Sequence, residues 1–380
     1  MKKLVLLLTC LSILVSLVAC GPKYEPQAST EEELRTVWTL EIGEEIYTVN
    51  YELYRAIFLN LRDSIDGGDR SVWNGESKKI YIDRIDGMIL DYVCDIYAAF
   101  SVCKSIGFDI YSEDVDDAIE DYITAGVDGG IAIAPTWEGI VTEVTVSGAG
   151  SYEEYLKSLA EMNLNYSVQD LLYRYYIALS AIDSYYIGTY SDENIDGKIT
   201  VGAFEYTRDE VYAFYNSEDC VRVLRHSFSA DISYTPLEKA ERDRSKLEDA
   251  SLYGESEIAN CIIGLGAITS VSEIKNGTVV GRYNLDDAYA MDFINEAFAT
   301  KPGQISEIIE INDGLEHTVN ILYKAEKSDE HFNSCYSTIA YVFLKNKVGS
   351  ILNSKEKALK ESATPASLLE SLDRAAIKMQ

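Results

Sequence analysis

The 380-residue chain is strongly acidic, with 63 Asp and Glu residues against 33 Lys and Arg and a formal net charge of −30 at pH 7. A surface of this sign repels phosphate groups, so neither nucleic acid nor anionic lipid headgroups are expected as direct partners. The length is sufficient for more than one domain with a core of its own.

The first twenty residues, MKKLVLLLTCLSILVSLVAC, have the organisation of an export signal. Lys2 and Lys3 form a short positive segment, residues 4–17 are an apolar run too short for an ordinary membrane-spanning helix, and the run ends at Cys20. The last four residues resemble the bacterial lipobox, which implies cleavage before Cys20 and a lipid on that cysteine. Within that resemblance, Gly21 gives no reason for retention at the inner membrane. An ordinary signal peptide or an uncleaved anchor is the alternative.

The next segment, GPKYEPQASTEEEL, is polar, holds two of the six prolines and shows no periodicity. We therefore predict a signal peptide over residues 1–20 and a tether over residues 21–40. No later segment approaches the roughly 20 apolar residues of a membrane helix. The expected location is the extracytoplasmic face of the bacterial cell membrane, with the lipid on Cys20 as the anchor.

Five cysteines remain beyond residue 20, and they are scattered without any CxxC spacing. An odd number cannot all pair within one chain. We expect small buried hydrophobic residues rather than a disulfide framework or a zinc site. The five are Cys94, Cys103, Cys220, Cys261 and Cys335.

A mostly helical domain is predicted over residues 41–217. In EEIYTVNYELYRAIFLNLRDSI a short strand leads to a helix with Asn50 as its N-cap. Leu53, Ile57 and Leu61 fall four residues apart, which gives this helix one broad apolar face. Similar helical patterns follow at residues 80–105, 112–122 and 152–186.

Tyrosine is unusually frequent, at 28 residues against ten Phe and three Trp. Its apolar ring and polar tip suit a surface that grips varied, extended polypeptides. The alternative is that most of these tyrosines are half-buried core residues at helical spacing.

The segment DENIDGKIT has the beginning of a calcium-binding loop. Asp192, Asn194 and Asp196 alternate and Gly197 makes the turn, but Ala203 stands where the loop requires a bidentate Glu. A turn-forming hairpin insertion is therefore favoured over calcium binding.

The segment VRVLRHSFSAD, residues 221–231, is a predicted strand with a histidine at its centre. Alternation places Leu224, His226 and Phe228 on one face. His226 is therefore either a core residue or the polar group of a binding crevice.

The surrounding residues predict a compact α+β module over residues 218–329. Thr235 and Glu238 form a capping box before EKAERDRSKLEDA, and a second helix in LDDAYAMDFINEAFATKPGQ ends at Pro302 and Gly303. Strands follow at SEIIEIN and HTVNILYKAEK. Residues 330–380 are expected to add an amphipathic helix that packs on the helical domain. The predicted fold class is thus α+β.

These segments resemble a parvulin-type peptidyl-prolyl isomerase domain, whose last helix commonly ends in a pattern such as F-x-x-A-A-F-x-L-K-x-G-x-I-S. The run FINEAFATKPGQIS carries the most specific part of the match. The segment IYTVNYELYRAIF and the long helical domain resemble the chaperone arm of SurA- and PrsA-type foldases, and the lipobox suits the PrsA-like lipoproteins. The isomerase resemblance is confined to residues 220–328.

The resemblance implies roles for particular residues. His226 matches the family's first-strand histidine, which implies the centre of a proline-binding crevice. Val280 matches an apolar Leu, Phe293 the aromatic wall of the proline pocket, and Tyr289 a position that is usually Met.

The chain departs from the family pattern at two places. Val271 stands where the family carries Cys or Asp. In the closing strand the histidine, His317, comes one residue late, and a one-residue slip turns a side chain to the opposite face. Glu316 is the candidate for the expected position.

Prolyl isomerisation breaks no covalent bond, so this chemistry requires no nucleophile, metal or cofactor. A metal site at His331 and Cys335 is not predicted, because two ligands are too few. We expect an extracytoplasmic foldase that binds unfolded exported polypeptides and engages their prolines. The alternative is a non-catalytic chaperone with a degenerate parvulin module.

Overall fold

The computed structural model describes residues 28–135, 141–188, 198–228, 234–266, 271–283, 291–312 and 317–378. Over these residues the protein is α+β, as predicted. It divides into two compact units, the first formed by residues up to 185 together with those from 351, and the second by residues 186–350. No helix among the described residues is long and apolar enough to cross a membrane.

The first part of the chain alternates hairpins with helices. Its elements are β1 (Thr36–Ile42), β2 (Glu45–Asn50), α1 (Tyr51–Asp66), α2 (Lys78–Ile106), α3 (Glu113–Asp128), β3 (Gly130–Pro135), β4 (Val141–Val146), α4 (Tyr152–Glu161) and α5 (Tyr166–Tyr186).

Local signals explain where several of these elements begin and end. The side chain of Asn50 accepts a hydrogen bond from the backbone nitrogen of Leu53 at 3.1 Å, which confirms the predicted cap of α1. The predicted helical stretch 152–186 is instead two helices, because Asn163 adopts a left-handed φ of 59° between them. The β3–β4 hairpin was not predicted.

Many tyrosines of the first unit are core residues, so for them the alternative interpretation is correct. Tyr54, Tyr155, Tyr173 and Tyr175 are each at most 1% exposed. The rings of Tyr122 and Tyr173 stack with their centroids 3.9 Å apart. Aromatic packing of this kind adds to the apolar area removed from water.

The rest of the chain contains the second unit and then returns to the first. Its elements are β5 (Lys198–Val201), β6 (Phe204–Thr207), α6 (Arg208–Asn216), β7 (Cys220–Phe228), α7 (Pro236–Ser251), α8 (Glu255–Gly264), α9 (Val271–Asn276), β8 (Thr278–Gly281), α10 (Met291–Ala299), β9 (Ile309–Asn312), β10 (His317–Ala325), α11 (Asp329–Ser334), α12 (Tyr336–Ser362), β11 (Thr364–Pro365) and α13 (Ser367–Ser371).

The second unit is built on an antiparallel sheet of strand order β8-β7-β10-β9. One face carries a core cluster with α7 and α8 that includes Leu224, Phe228 and Ile321. The opposite face carries a second cluster with α10 that includes Val223 and Phe293. The alternation predicted for β7 is therefore confirmed.

The described residues 186–188 and 198–217 lie in the second unit, whereas the sequence pattern predicts them in the helical domain. Tyr206 of β6 is 2% exposed and its ring contacts Phe343 of α12 edge to face at 5.9 Å. The predicted single C-terminal helix is two helices that meet at Cys335.

One edge strand of the three-stranded sheet in the first unit comes from near the C-terminal end of the sequence. The strand order is β11-β1-β2, and Trp38 and Thr39 of β1 pair with Pro365 and Thr364 of β11. This pairing requires the chain to return to the first unit after it has formed the second.

Candidate functional site

The first unit carries an open groove of about 610 Å³ between the β1–β2 turn and the loop that joins α2 to α3. Phe100 and Ile110 line it and are 2% and 5% exposed, whereas Ile46 and Tyr111 line it with 67% and 61% of their surface in solvent. A groove of this size with exposed apolar side chains has the properties of a ligand-binding surface.

The walls of the groove are held in place by neighbouring side chains. Arg174 of α5 donates a hydrogen bond from its guanidinium to the carbonyl of Ile110 at 2.7 Å and lies 5.2 Å from the ring centre of Tyr111. On the other side, the rings of Tyr47 and Tyr97 stack at 4.6 Å. A surface that is already ordered loses little conformational entropy when a ligand binds.

The groove is also acidic. Glu44, Glu45 and Asp109 line it against one cation, Lys104, whose Nζ lies 3.6 Å from a carboxylate oxygen of Glu45. Burial and the hydrogen bond to Glu45 raise the pKa of Tyr47 above its usual range, so its hydroxyl stays protonated and donates to Glu45. The remaining negative charge faces solvent.

Sequence reasoning missed this groove, although one signal was present. Val49 of β2 is buried, and strand alternation therefore places Ile46 on the opposite face, where an apolar side chain is unexpected. The loop wall at Tyr111 had no comparable signal.

His226 lies in the core of the second unit. It is 3% exposed, and its ring meets that of Phe228 edge to face at 4.2 Å. Burial lowers the pKa of His226 to about 4, and the nearby carboxylate of Asp243 offsets only part of that effect. The imidazole is neutral at pH 7, and its Nδ1 has no hydrogen-bond partner among the described residues.

Val280 and Phe293 lie together on the other face of the sheet, where they are 0% and 1% exposed. The guanidinium of Arg225 lies 5.3 Å from the centre of the Phe293 ring. Its Nε donates to the side-chain oxygen of Asn320 at 2.9 Å, and the hydroxyl of Ser227 donates to the same oxygen at 2.7 Å. A charged and polar group therefore borders the predicted aromatic wall.

The structure does not bring the predicted site residues into one crevice. His226 and Phe293 are on opposite faces of the sheet, because residues of different parity on β7 contact the two clusters. The ring of His226 contacts Phe228, which lies on the face of the sheet that α7 and α8 cover. Cys20, Tyr289 and Glu316 lie outside the described residues.

His317 does not stand opposite His226. The residue paired with His226 is Ile321, and His317 lies four positions away along β10, paired with Asn312. At about 3.4 Å per residue, the backbone of His317 lies roughly 14 Å along the strand from the position opposite His226. Val271 is 51% exposed at the start of α9.

No group of three metal-ligating side chains occurs in the part of the chain that the structure describes. His331 lies 2.9 Å through its Nδ1 from the hydroxyl of Tyr215. Cys94, Cys103 and Cys220 are buried free thiols.

The first part of the possible calcium-binding loop, residues 192–197, lies outside the described residues. Lys198, which follows it, begins the β5–β6 hairpin.

Comparison with known proteins adds little support for any particular family or function. No family model matches the chain, and no curated protein does. Among solved structures, it is similar to the foldase protein PrsA from Streptococcus pneumoniae, with 12% identity over 84% of this chain and 92% of that one, at a TM-score of 0.23. It is also similar to the foldase protein PrsA from Lactococcus lactis, with 12% identity over 90% and 99% of the two chains, at a TM-score of 0.22. At these TM-scores, neither likeness supports a conclusion about fold or function.

Proposed function

We propose that this protein is an exported foldase of the chaperone type, which binds unfolded polypeptides through its first unit. The observation that carries the proposal is the preformed groove with Ile46 and Tyr111 exposed at its edge. An unfolded chain presents many apolar side chains in extended backbone, and such a groove contacts them without requiring a particular fold.

The proposed location is the extracytoplasmic face of the cell membrane, where exported chains emerge unfolded. The support is the sequence MKKLVLLLTCLSILVSLVAC, whose end resembles a lipobox with Cys20 as the lipid-bearing residue. A lipid anchor suits a chain with a net charge of −30, because an acidic surface does not adhere to anionic headgroups.

Prolyl isomerisation by the second unit is the second candidate function. The observation that favours it is the cluster of Arg225, Ser227 and Asn320 beside Phe293, since a polar group at the margin of an apolar site is what stabilises a twisted amide. We place this candidate site on the Phe293 face. His226 lies on the face of the sheet opposite Phe293, and this position argues against the catalytic role that the resemblance implies for it.

The decisive experiment measures both activities on the mature full-length chain. We expect it to suppress aggregation of a chemically unfolded client at near-stoichiometric ratios. If isomerisation of a proline-limited client is also accelerated, Phe293→Leu should reduce that rate by about tenfold, the effect of about 1.4 kcal/mol of lost transition-state binding. His226→Asn, on the other face, is the matched control.

The outcomes separate the candidates. Suppression without isomerisation assigns the chain to non-catalytic chaperones. No suppression at any ratio contradicts the proposed function.

A further inference from the structure

We propose that the groove of the first unit selects extended client segments in which apolar side chains are interspersed with Lys or Arg. This inference rests on the proposed function and adds the class of segment that the groove binds. Three features of the described residues carry it: apolar exposure, the sign of the charge and the edge position of β2.

The apolar contact comes from Ile46 and Tyr111. Each leaves well over half of its surface in solvent while bordering a floor formed by Phe100 and Ile110. A client side chain placed between them removes apolar surface on both partners from water, and binding strengthens with the area removed.

The charge preference comes from the rim. Glu44 and Asp109 are exposed. Glu45 forms an ion pair with Lys104, the one cation among the lining residues, and the side chain of Lys104 is itself 68% exposed. A cationic side chain next to the apolar anchor is therefore attracted, whereas an acidic one is repelled. The net charge of −30 adds a long-range attraction that speeds encounter with cationic segments.

The extended conformation follows from the position of β2. Within the part of the sheet that the structure describes, β2 pairs with β1 on one side only. The carbonyl of Thr48 accepts from the hydroxyl of Tyr97 at 3.2 Å, so α2 covers that end of the strand. The half from Glu45 to Tyr47 lines the groove, so an extended client segment in the groove runs beside this edge of the sheet.

Fluorescence anisotropy with short labelled peptides tests the inference. One probe has Leu and Tyr interspersed with Lys, a second replaces each Lys with Glu, and a third keeps Lys but replaces the apolar residues with Ser. We expect the mature full-length chain to bind the first probe about tenfold more tightly than either of the others at low salt. The advantage over the Glu probe should shrink as salt rises, because exposed charges are screened.

The chain offers a closely matched control variant. Ile46 and Ile80 are the same residue type in the same unit, 67% and 69% exposed, and only Ile46 lines the groove. We expect Ile46→Ser to weaken binding of the first probe by about tenfold and Ile80→Ser to leave it within about twofold. Glu44→Lys should narrow the difference between the Lys and Glu probes without altering the fold, since Glu44 is exposed.

The possible failures are distinguishable. Equal loss from Ile46→Ser and Ile80→Ser, with thermal midpoints unchanged, would show that peptide binds elsewhere. Equal affinity for the Lys and Glu probes would overturn the charge preference alone. If aggregation of an unfolded client is still suppressed, the chaperone activity stands in both cases: the first result removes the groove as its binding site, and the second removes only the charge preference.

Discussion

At the scale of single residues, the two histidines with described side chains are both buried. His226 and His331 are 3% and 6% exposed. Burial lowers the pKa of each to about 4, with the positive charge of Arg222 as a smaller cause at His331. A histidine that is neutral in the folded state and protonated in the unfolded state links stability to pH.

The sign of that link gives a prediction. Below the ordinary histidine pKa of about 6.5, the unfolded chain binds protons that the folded chain does not. The free energy of unfolding should therefore decrease as the pH is lowered from about 6.5 to about 4. Each buried histidine contributes on the order of 3 kcal/mol to this loss, and the contribution levels off below the folded pKa. His226→Leu should make the pH dependence shallower in urea unfolding followed by circular dichroism.

A direct check is the NMR titration of the imidazole protons, which is tractable because the chain has only three histidines. We expect two of the three to titrate far below pH 6.5. A midpoint near 6.5 for His226 would contradict its burial.

At the scale of elements, the helix starts depend on side chains that the local sequence supplies. Thr235 accepts from the backbone nitrogen of Glu238 at 3.3 Å, and the carboxylate of Glu238 accepts from the backbone nitrogen of Thr235 at 2.8 Å. Pro236 occupies the first turn of α7, where its missing N–H leaves no donor unpaired.

We predict that Thr235→Ala lowers the stability of the second unit by about 1 kcal/mol, because the backbone nitrogen at the helix start loses its partner. Thr235→Ser keeps the hydroxyl and should cost much less. Thermal unfolding of both variants, followed by circular dichroism, measures the difference. Equal midpoints for Ala and Ser would mean that the capping box does not hold α7.

Elements whose start or pattern is set by neighbouring residues were predictable from the sequence. Contacts between segments far apart in the chain were not. Asn50 and Thr235 are caps that a few neighbouring residues define, so α1 and α7 were placed correctly. The faces of β7 followed from alternation. Which helix covers each face of the sheet depends on packing between distant segments. Because α10 packs on the face opposite His226, Phe293 and His226 do not come together.

The groove shows the same limit. Its two sides come from the β1–β2 turn and from the loop after α2, about 60 residues apart in sequence. The exposed side chain of Ile46 was visible as an irregularity in the strand pattern. The position of Ile46 and Tyr111 in one groove depends on tertiary packing, which no sequence periodicity encodes.

At the scale of the whole molecule, a lipid anchor and an acidic surface have opposite effects at a membrane. In the proposed location, the lipid on Cys20 would hold the chain at the bilayer, and the net charge of −30 would keep the protein body away from anionic headgroups. Attachment should therefore depend on the lipid alone.

We predict that Cys20→Ser, combined with a cleavable signal that needs no lipid, releases the protein into the soluble extracytoplasmic fraction. Fractionation and immunoblotting measure this, with the native chain as control. If the variant is cleaved and still sediments with membranes at high salt, a protein or lipid contact other than the anchor is responsible.

The pairing of β11 with β1 has a consequence for how the protein folds when its residues emerge in chain order. Trp38 and Pro365 are partners across the sheet, yet the whole second unit lies between them in the chain. When residues emerge in chain order, the whole second unit has emerged before β11, the third strand of the sheet that contains β1. We therefore expect the unit that carries the groove to be completed last, with the β1 edge exposed until β11 has emerged.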